Sequence, residues 1–399
     1  MKSDFETIVI GKGLVGSSAA KYLCQNGEKV AVIGADEPAQ NTSALVYASH
    51  YDQARVQRII GKDETWTKLN ADSVQAYEKI QRESKIDFHK GVGCLYINPY
   101  GQDNYLRNLP SLAQKFTTQY SLFDSKTDNH KYFDGLTFPE NSVGIFEPSP
   151  SGFINPRLLI KAQLEIFRKH RGVEITDTVI DLAVIGDKKF VLTTESGNTY
   201  TASKILVATG SFLNCFGILA QKVQLQTKSE VVLLVKVEAD MVAHYSNLPS
   251  LLYEIDENGT EGIYMIQPVL YPDGNFYLKI GCNSPDDIFF ESLEQIQNWF
   301  EAGESGKYGN ALMGAVSKIL PSLNLANVLT KKCVISRTPH GNPYIGETSV
   351  AGVFLAGGCN GYSAMCSDAI GKVAASLLLD GVFPEGYSKD AFEIKYESK

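Results

Sequence analysis

The sequence predicts an α/β chain: a parallel-sheet part organised by a βαβ unit near the N-terminus, and a second part on a mixed, largely antiparallel sheet. Three observations carry this. The β-branched run Ile8-Val9-Ile10 breaks into Gly11, Gly13 and Gly16 and then into a helical pattern. Two later apolar runs, Ile205-Leu206-Val207-Ala208 and Val353-Phe354-Leu355-Ala356, also end at glycines, Gly210 and Gly357-Gly358. Between them, residues from about 230 to 283 alternate apolar and polar, with turn signals at Asn258-Gly259 and Asp273-Gly274.

The first forty residues are the most informative. Ile8 to Ile10 reads as a buried parallel strand. In the helix that follows, Val15, Ala19 and Leu23 share one face, and Asn26-Gly27 ends it before the strand Lys29 to Ile33. The spacing of Gly11, Gly13 and Gly16 between two strands is that of a dinucleotide-binding, Rossmann-like turn. Gly11 permits the tight turn, Gly13 lets a pyrophosphate approach the backbone, and Gly16 lets helix and strand pack closely. The bare helix N-terminus attracts phosphate charge. The acid that holds the adenosine ribose in such units belongs just after Ile33, where this chain has Gly34. Asp36 is the candidate replacement. No Arg or Lys follows in this turn to meet a 2′-phosphate.

Composition narrows the rest. The chain has 399 residues, 44% hydrophobic and 21% charged, with a net charge of −8 and no basic run. These values argue for a globular chain of two domains and against nucleic acid or an anionic membrane as partner. Val231 to Val235 is the longest purely aliphatic run of interest, and Lys236 cuts it far short of membrane-spanning length. Met1 to Asp4 leads almost directly into the first strand, without room for a signal peptide. Seven cysteines without a CxxC and six scattered histidines give neither a disulfide framework nor a metal site. A cytoplasmic location is expected.

Taken in order, His50 to Arg58 reads as a short helical turn with Arg55 and Arg58 on one face, for which a solvated, salt-bridged surface is the plain alternative. Lys62 to Lys85 has helical period, and Gly91 to Ile97 is a strand. Tyr120 to Glu140 is polar and irregular. Asn155 caps a helix with Pro156 in its first turn and Leu158, Leu159, Ala162 and Ile166 as its stripe. A strand from Val173, a hairpin at Ser196-Gly197-Asn198 and the run to Gly210 follow. Ser292 to Phe300 and Asn310 to Leu320 are helices. The last glycine turn, Gly357 to Gly361, opens a helix from about Ser367 to Leu379.

These pieces, in this order, resemble the glycine/D-amino-acid-oxidase-like flavoproteins, and most closely their monomeric sarcosine oxidase branch. The motifs are the N-terminal βαβ, His50 to Arg58, Gly91 to Ile97, Gly152 to Arg157, Ala208-Thr209-Gly210, Thr338 to Gly346 and Gly357 to Gly371. The resemblance implies FAD and a discontinuous FAD-binding domain (1–58, 150–225 and 325–399). It also implies a substrate-binding domain (59–149 and 226–324). The residues expected at the cofactor are Gly11, Gly13, Leu14, Val15 and Gly16 of the first turn, then Asp36, Ser43, Arg55, Val179 and Gly210. Gly358, Asn360, Gly361, Tyr362 and Met365 serve the last turn. Cys333 matches the cysteine that carries the flavin through a thioether, although cysteine is also a common small core residue.

The resemblance further implies catalytic roles. Arg58 matches the arginine at the substrate carboxylate, which a bidentate guanidinium suits. Lys279 matches a lysine that helps oxygen react, its alternative being a solvent-facing residue on an alternating strand. Tyr264 falls near a substrate-lining tyrosine, with an insertion around Tyr271 to Asn275. The branch's carboxylate-binding lysine falls at Met365, and an arginine of the glycine oxidases falls at Ile335, two residues from Arg337. The implied activity is oxidation of a C–N bond in an amino acid or a secondary or cyclic amine, with oxygen as acceptor. A dehydrogenase using a quinone or carrier and a non-catalytic flavin-binding protein are the alternatives.

Overall fold

A computed structural model describes residues 4–39, 42–185, 189–257 and 260–398; the Asn258-Gly259 turn lies outside them. The N-terminal unit forms as expected: β1 (Phe5–Ile10), α1 (Leu14–Gln25) and β2 (Val30–Ile33). β1 is central and parallel to β2 on one side and to Thr199–Val207 on the other, and that strand pairs in parallel with Val353–Gly357. Ile8, Val9, Val32, Leu206 and Leu355 are fully buried, which is why these runs carry no polar alternation. Helices cover the sheet: α1 packs on Ser367–Asp380 and on Pro156–Lys169, where Asn155 caps Leu158 N as its sequence predicts. One ion pair is sealed inside this layer, Lys21 Nζ to Asp368 Oδ1 at 2.5 Å. Ser18, Tyr22 and Gln163 donate further hydrogen bonds to the same carboxylate, so the buried charges are satisfied.

The second sheet is mixed. Its strands run Phe289–Phe290, Gln226–Val237, Phe276–Asn283, Thr260–Leu270, Ser250–Glu257, Cys94–Asn98, Val143–Glu147 and Ser121–Asp124. Ser250–Glu257 and Cys94–Asn98 are parallel; the other pairs are antiparallel. Val328–Arg337, expected with the dinucleotide-binding part, instead pairs with Gln226–Val237 over ten residue pairs, closing the sheet's edge. The helix Gly306–Ile319 covers one face through Leu312, Val316 and Ile319. The opposite face looks toward the glycine turns.

Two expectations are corrected. Arg55–Gln57 is a strand, not a helical turn, and pairs with Gly152–Ile154 in a small third sheet with His89–Lys90. Val56 is β-branched and buried against Phe153, and the ladder supplies the backbone partners a helical turn would have given. The segment from 120 to 140, polar in sequence, contributes a strand and the buried side chains Phe123, Phe133, Leu136 and Phe138. Their irregular spacing hid them because only Phe123 stands on a strand, while the other three join the same core cluster from the irregular chain after it. Among the described residues no helix is long and apolar enough to cross a membrane.

Candidate active site

The first glycine turn is built to meet an anion. Gly13 caps α1 without a side-chain hydrogen bond, and no acid stands in the first turn, so the leading N–H groups are free. Gly11 has φ +107°, and a Cβ there would overlap the Ala208 carbonyl oxygen; a Cβ on Gly16 would overlap the Gly11 carbonyl oxygen. His50 faces Gly13. Burial, with Arg157, Arg55 and Lys12 nearby, holds its imidazole neutral by lowering its pKa to about 3. The Thr209 hydroxyl, on the same wall, is buried without a partner.

From this turn a cavity of about 780 Å³ runs between the two sheets to the last glycine turn. Gly11, Gly13, Leu14, Val15, Val179 and Gly210 line it at one end. Arg55, Arg58, Cys333 and Tyr264 also line it, as do Asn360, Gly361, Tyr362 and Met365 of the last turn. Gly16 and Gly358 stand behind the wall, where a Cβ would strike the Gly11 carbonyl and the Thr338 side chain. The last turn is tied down by Asn360, which accepts from Thr338 N at 2.9 Å and donates to the Gly358 carbonyl at 2.6 Å. A one-turn 3-10 segment, Ser363–Cys366, intervenes before the helix at Ser367. The carboxylate in that helix's first turn, Asp368, is spent on Lys21.

Two other candidates lie off this wall. Asp36 is mostly exposed, and its carboxylate accepts from Lys12 Nζ at 2.5 Å. A Cβ on Gly34 would crowd the Lys12 backbone, so the position after β2 is shaped by Lys12. The carboxylate on the wall at this end is Asp177, just before Val179. Ser43 lines an adjoining cavity of about 670 Å³ that shares Tyr47, Arg55 and Cys333 with the first.

The electrostatic centre is a residue to which sequence reasoning gave no role. Asp52 is buried and receives Arg55, Lys279 (2.5 Å) and the Tyr271 hydroxyl (2.7 Å). Burial works against this carboxylate, yet Lys279 and Arg55 hold it well below the usual range. Lys279 is therefore not solvent-facing. Its side chain is fully buried, its Nζ also donates to the Ala54 carbonyl at 2.8 Å, and it sits 5.2 Å from the Tyr264 ring centre, behind the cavity wall. Burial, with Arg55 beside it, lowers its pKa to about 8 despite Asp52.

Arg58 is different. Its guanidinium stacks 4.7 Å over Tyr105 and makes no ion pair among the described residues. Its Nε and Nη1 are buried without hydrogen-bond partners. A buried cation with two unused donors, on the wall of a cavity, is a seat for an anion. Tyr264 lies over Gly281, whose missing side chain makes room for the ring. Ile335 and Arg337, two apart on one strand, both line the cavity.

A family model described as FAD-dependent oxidoreductase (DAO) matches residues 6–377. The chain belongs to this family. It is 23% identical over 396 residues to the monomeric sarcosine oxidase of Bacillus sp. (strain NS-129), covering 96% of this chain and 94% of that one. Among solved structures it is similar to NikD, an unusual amino acid oxidase essential for nikkomycin biosynthesis. The TM-score is 0.76 at 16% identity, over 100% of this chain and 99% of that one. The L-proline dehydrogenase from P. horikoshii shares the fold with a TM-score of 0.71 at 18% identity, over 96% of each chain. The chain is thus an FAD-dependent amine or amino-acid oxidoreductase. The uncapped α1, the glycine cradle and the orphaned Thr209 hydroxyl fit the dinucleotide.

Proposed function

We propose that this chain oxidises a C–N bond in a carboxylate-bearing secondary or cyclic amine, with oxygen as acceptor and an imine and hydrogen peroxide as products. The observation that carries it is the Arg58 guanidinium, with two buried nitrogens lacking hydrogen-bond partners, on the wall of the cavity that Tyr264 also lines. When bound, FAD accepts a hydride at N5 and passes the electrons on. The chain's own part is placement and charge. The parallel-sheet part (1–58, 150–225 and most of 325–399) and the second sheet would hold the dinucleotide, with Gly11 to Gly16 meeting its phosphates. Arg58 holds the substrate carboxylate, Tyr264 bounds the reacting end, and Arg55 is held beside the cofactor by Asp52.

The reading is tested by adding N-methylglycine, N-methyl-L-tryptophan and L-proline to the purified protein without oxygen. At least one is expected to bleach the yellow colour, and admitting air is expected to restore it with one equivalent of peroxide. Failure of every carboxylate-bearing amine to bleach the protein rejects the proposal. Cys333, half-buried on the wall with its thiol pushed up by burial, is the proposed covalent attachment. Acid precipitation is expected to leave the flavin with the protein pellet, and Cys333→Ser to release it into the supernatant.

Lys279 is proposed to supply the positive charge that favours oxygen reduction. Lys279→Met is expected to slow reoxidation by about 100-fold, the effect of removing one preorganised charge. Because this amine is cationic only below its lowered pKa, the native reoxidation rate should fall as pH rises through about 8. One observation favours a second reading, a dehydrogenase with another acceptor: Lys279 is spent on Asp52 and does not reach the cavity wall. Dye reduction without peroxide, together with unchanged reoxidation in Lys279→Met, would select it.

A further inference from the structure

The sheet that floors the cavity carries a polar row in which only Cys333, the proposed flavin attachment, has a part in the proposed reaction. Cys333 is paired with Glu230, and one step past the Val231–Cys282 pair Glu230 comes beside Asn283. Asn283 is paired with Glu261. All four residues line the cavity and stand on four successive strands, each roughly 4.8 Å from the next.

The neighbours of Glu230 leave it facing inward. Lys228, on the same face of the strand, is buried and pairs with Asp287 and, more loosely, with Glu230, donating to its carboxylate at 3.4 Å and to Asn283 Oδ1 at 3.3 Å. Arg337 Nη2 donates to the same Asn283 oxygen at 3.2 Å. Lys228 is thus mainly committed to Asp287, and the Asn283 oxygen is used twice. Burial raises the Glu230 carboxyl to about 7, Asp287 adds to this, and Lys228 and Arg337 oppose it. An entering cation would offset that desolvation.

Arg58 lies toward the other end of the same floor, beside Cys94 and Tyr105, and the strand of Glu230 is four places from that of Cys94. Four spacings are roughly 19 Å across the strands, and because the register aligns Cys94 with Leu234, four residues from Glu230, roughly 13 Å more runs along them; the two long side chains shorten this from each end. A molecule held by its carboxylate at Arg58 reaches Glu230 only through a chain several bonds long.

We infer that Glu230, with Asn283 and Glu261 in its row, binds a second and cationic nitrogen at the far end of the substrate, so that the substrate is an N-substituted amino acid with a basic side chain. This rests on Arg58 as the carboxylate anchor.

The test uses the holoenzyme without oxygen and two probes of equal chain length, Nα-methyl-L-lysine and N-methyl-L-norleucine. Binding is read from the change in flavin absorption and from the shift in melting midpoint. The lysine probe is expected to bind about tenfold or more tightly than the norleucine probe, the range of one charge-assisted hydrogen bond. In Glu230→Gln this preference is expected to fall to within about twofold, while Glu230→Asp keeps part of it. Equal or tighter binding of the norleucine probe to the native enzyme overturns the inference without any variant. So does a preference that survives Glu230→Gln, or a Glu230→Gln that alters the flavin spectrum alone. Turnover is scored separately: a preference for the lysine probe with no bleaching by any amine counts against the proposed reaction and not against the Glu230 site.

Discussion

Arg58→Met is expected to lower kcat/KM for carboxylate-bearing amines by about 100-fold while leaving the melting temperature unchanged or higher. The two halves of this result have one cause. Arg58 is buried, stacked on Tyr105, and two of its nitrogens have no acceptor. In the free enzyme the nearby Glu147 carboxylate favours this buried charge, but the two nitrogens without hydrogen-bond partners cost stability. Methionine keeps most of the stem's packing and removes the charge, so the free protein gains or is unaffected. Upon substrate binding the same guanidinium meets a carboxylate in a dry site, where losing one member of a charge pair costs about 2–5 kcal/mol. Lysine is expected to rescue little, because one ammonium cannot reproduce a fork of two parallel donors. Steady-state kinetics on the amine that bleaches the enzyme, alongside thermal unfolding, measures both halves. An unchanged kcat/KM would remove Arg58 from substrate binding. A large drop in melting temperature would instead make it a structural residue, with Glu147, which accepts from Ile59 N and Ile60 N nearby, as its counterpart.

Gly16→Ala is expected to yield protein purified largely without flavin and less stable by about 3 kcal/mol, the upper range for overpacking a fitted contact. The added methyl would overlap the Gly11 carbonyl oxygen. Neither partner can yield, since Gly11 N donates to the Ile33 carbonyl at 2.7 Å and Gly11 itself is crowded by the Ala208 carbonyl. α1 must then move away from β1, and its uncapped N–H groups leave the position where a pyrophosphate would lie. The control is Gly314→Ala, in the exposed side of the helix Gly306–Ile319, where an added Cβ meets nothing within 4 Å. There the same chemical change should stabilise by about 0.5–1 kcal/mol through helix propensity. The ratio of flavin to protein absorbance and the melting midpoint separate the two outcomes. A Gly16→Ala protein as yellow as the native one would show that the turn does not set cofactor binding.

The elements of this chain were legible because they are local. β1, α1 and β2, the Asn155 cap, the helices after Asp63 and Ser292, and the glycine turns each announce themselves within about a dozen residues, through the period of burial or through a turn that needs glycine. The family was legible for the same reason, its motifs being short and in order. Arg55 to Gln57 defeated the local reading because its pairing partner, Gly152–Ile154, lies about a hundred residues away.

What only the tertiary structure decided is which charges meet. Lys279 and Asp52 are 227 residues apart, and Tyr271, inside an apparent insertion, closes on the same carboxylate. Lys12 captures Asp36, and the polar row from Cys333 to Glu261 exists only through the register of four strands. The amino-acid sequence by itself determined that two glycine turns and a family of flavin chemistry are present. The facing of Arg58 with open donors and of Glu230 into one cavity came from strand register and burial, because a side chain's charge is local but its partners are set by everything packed around it.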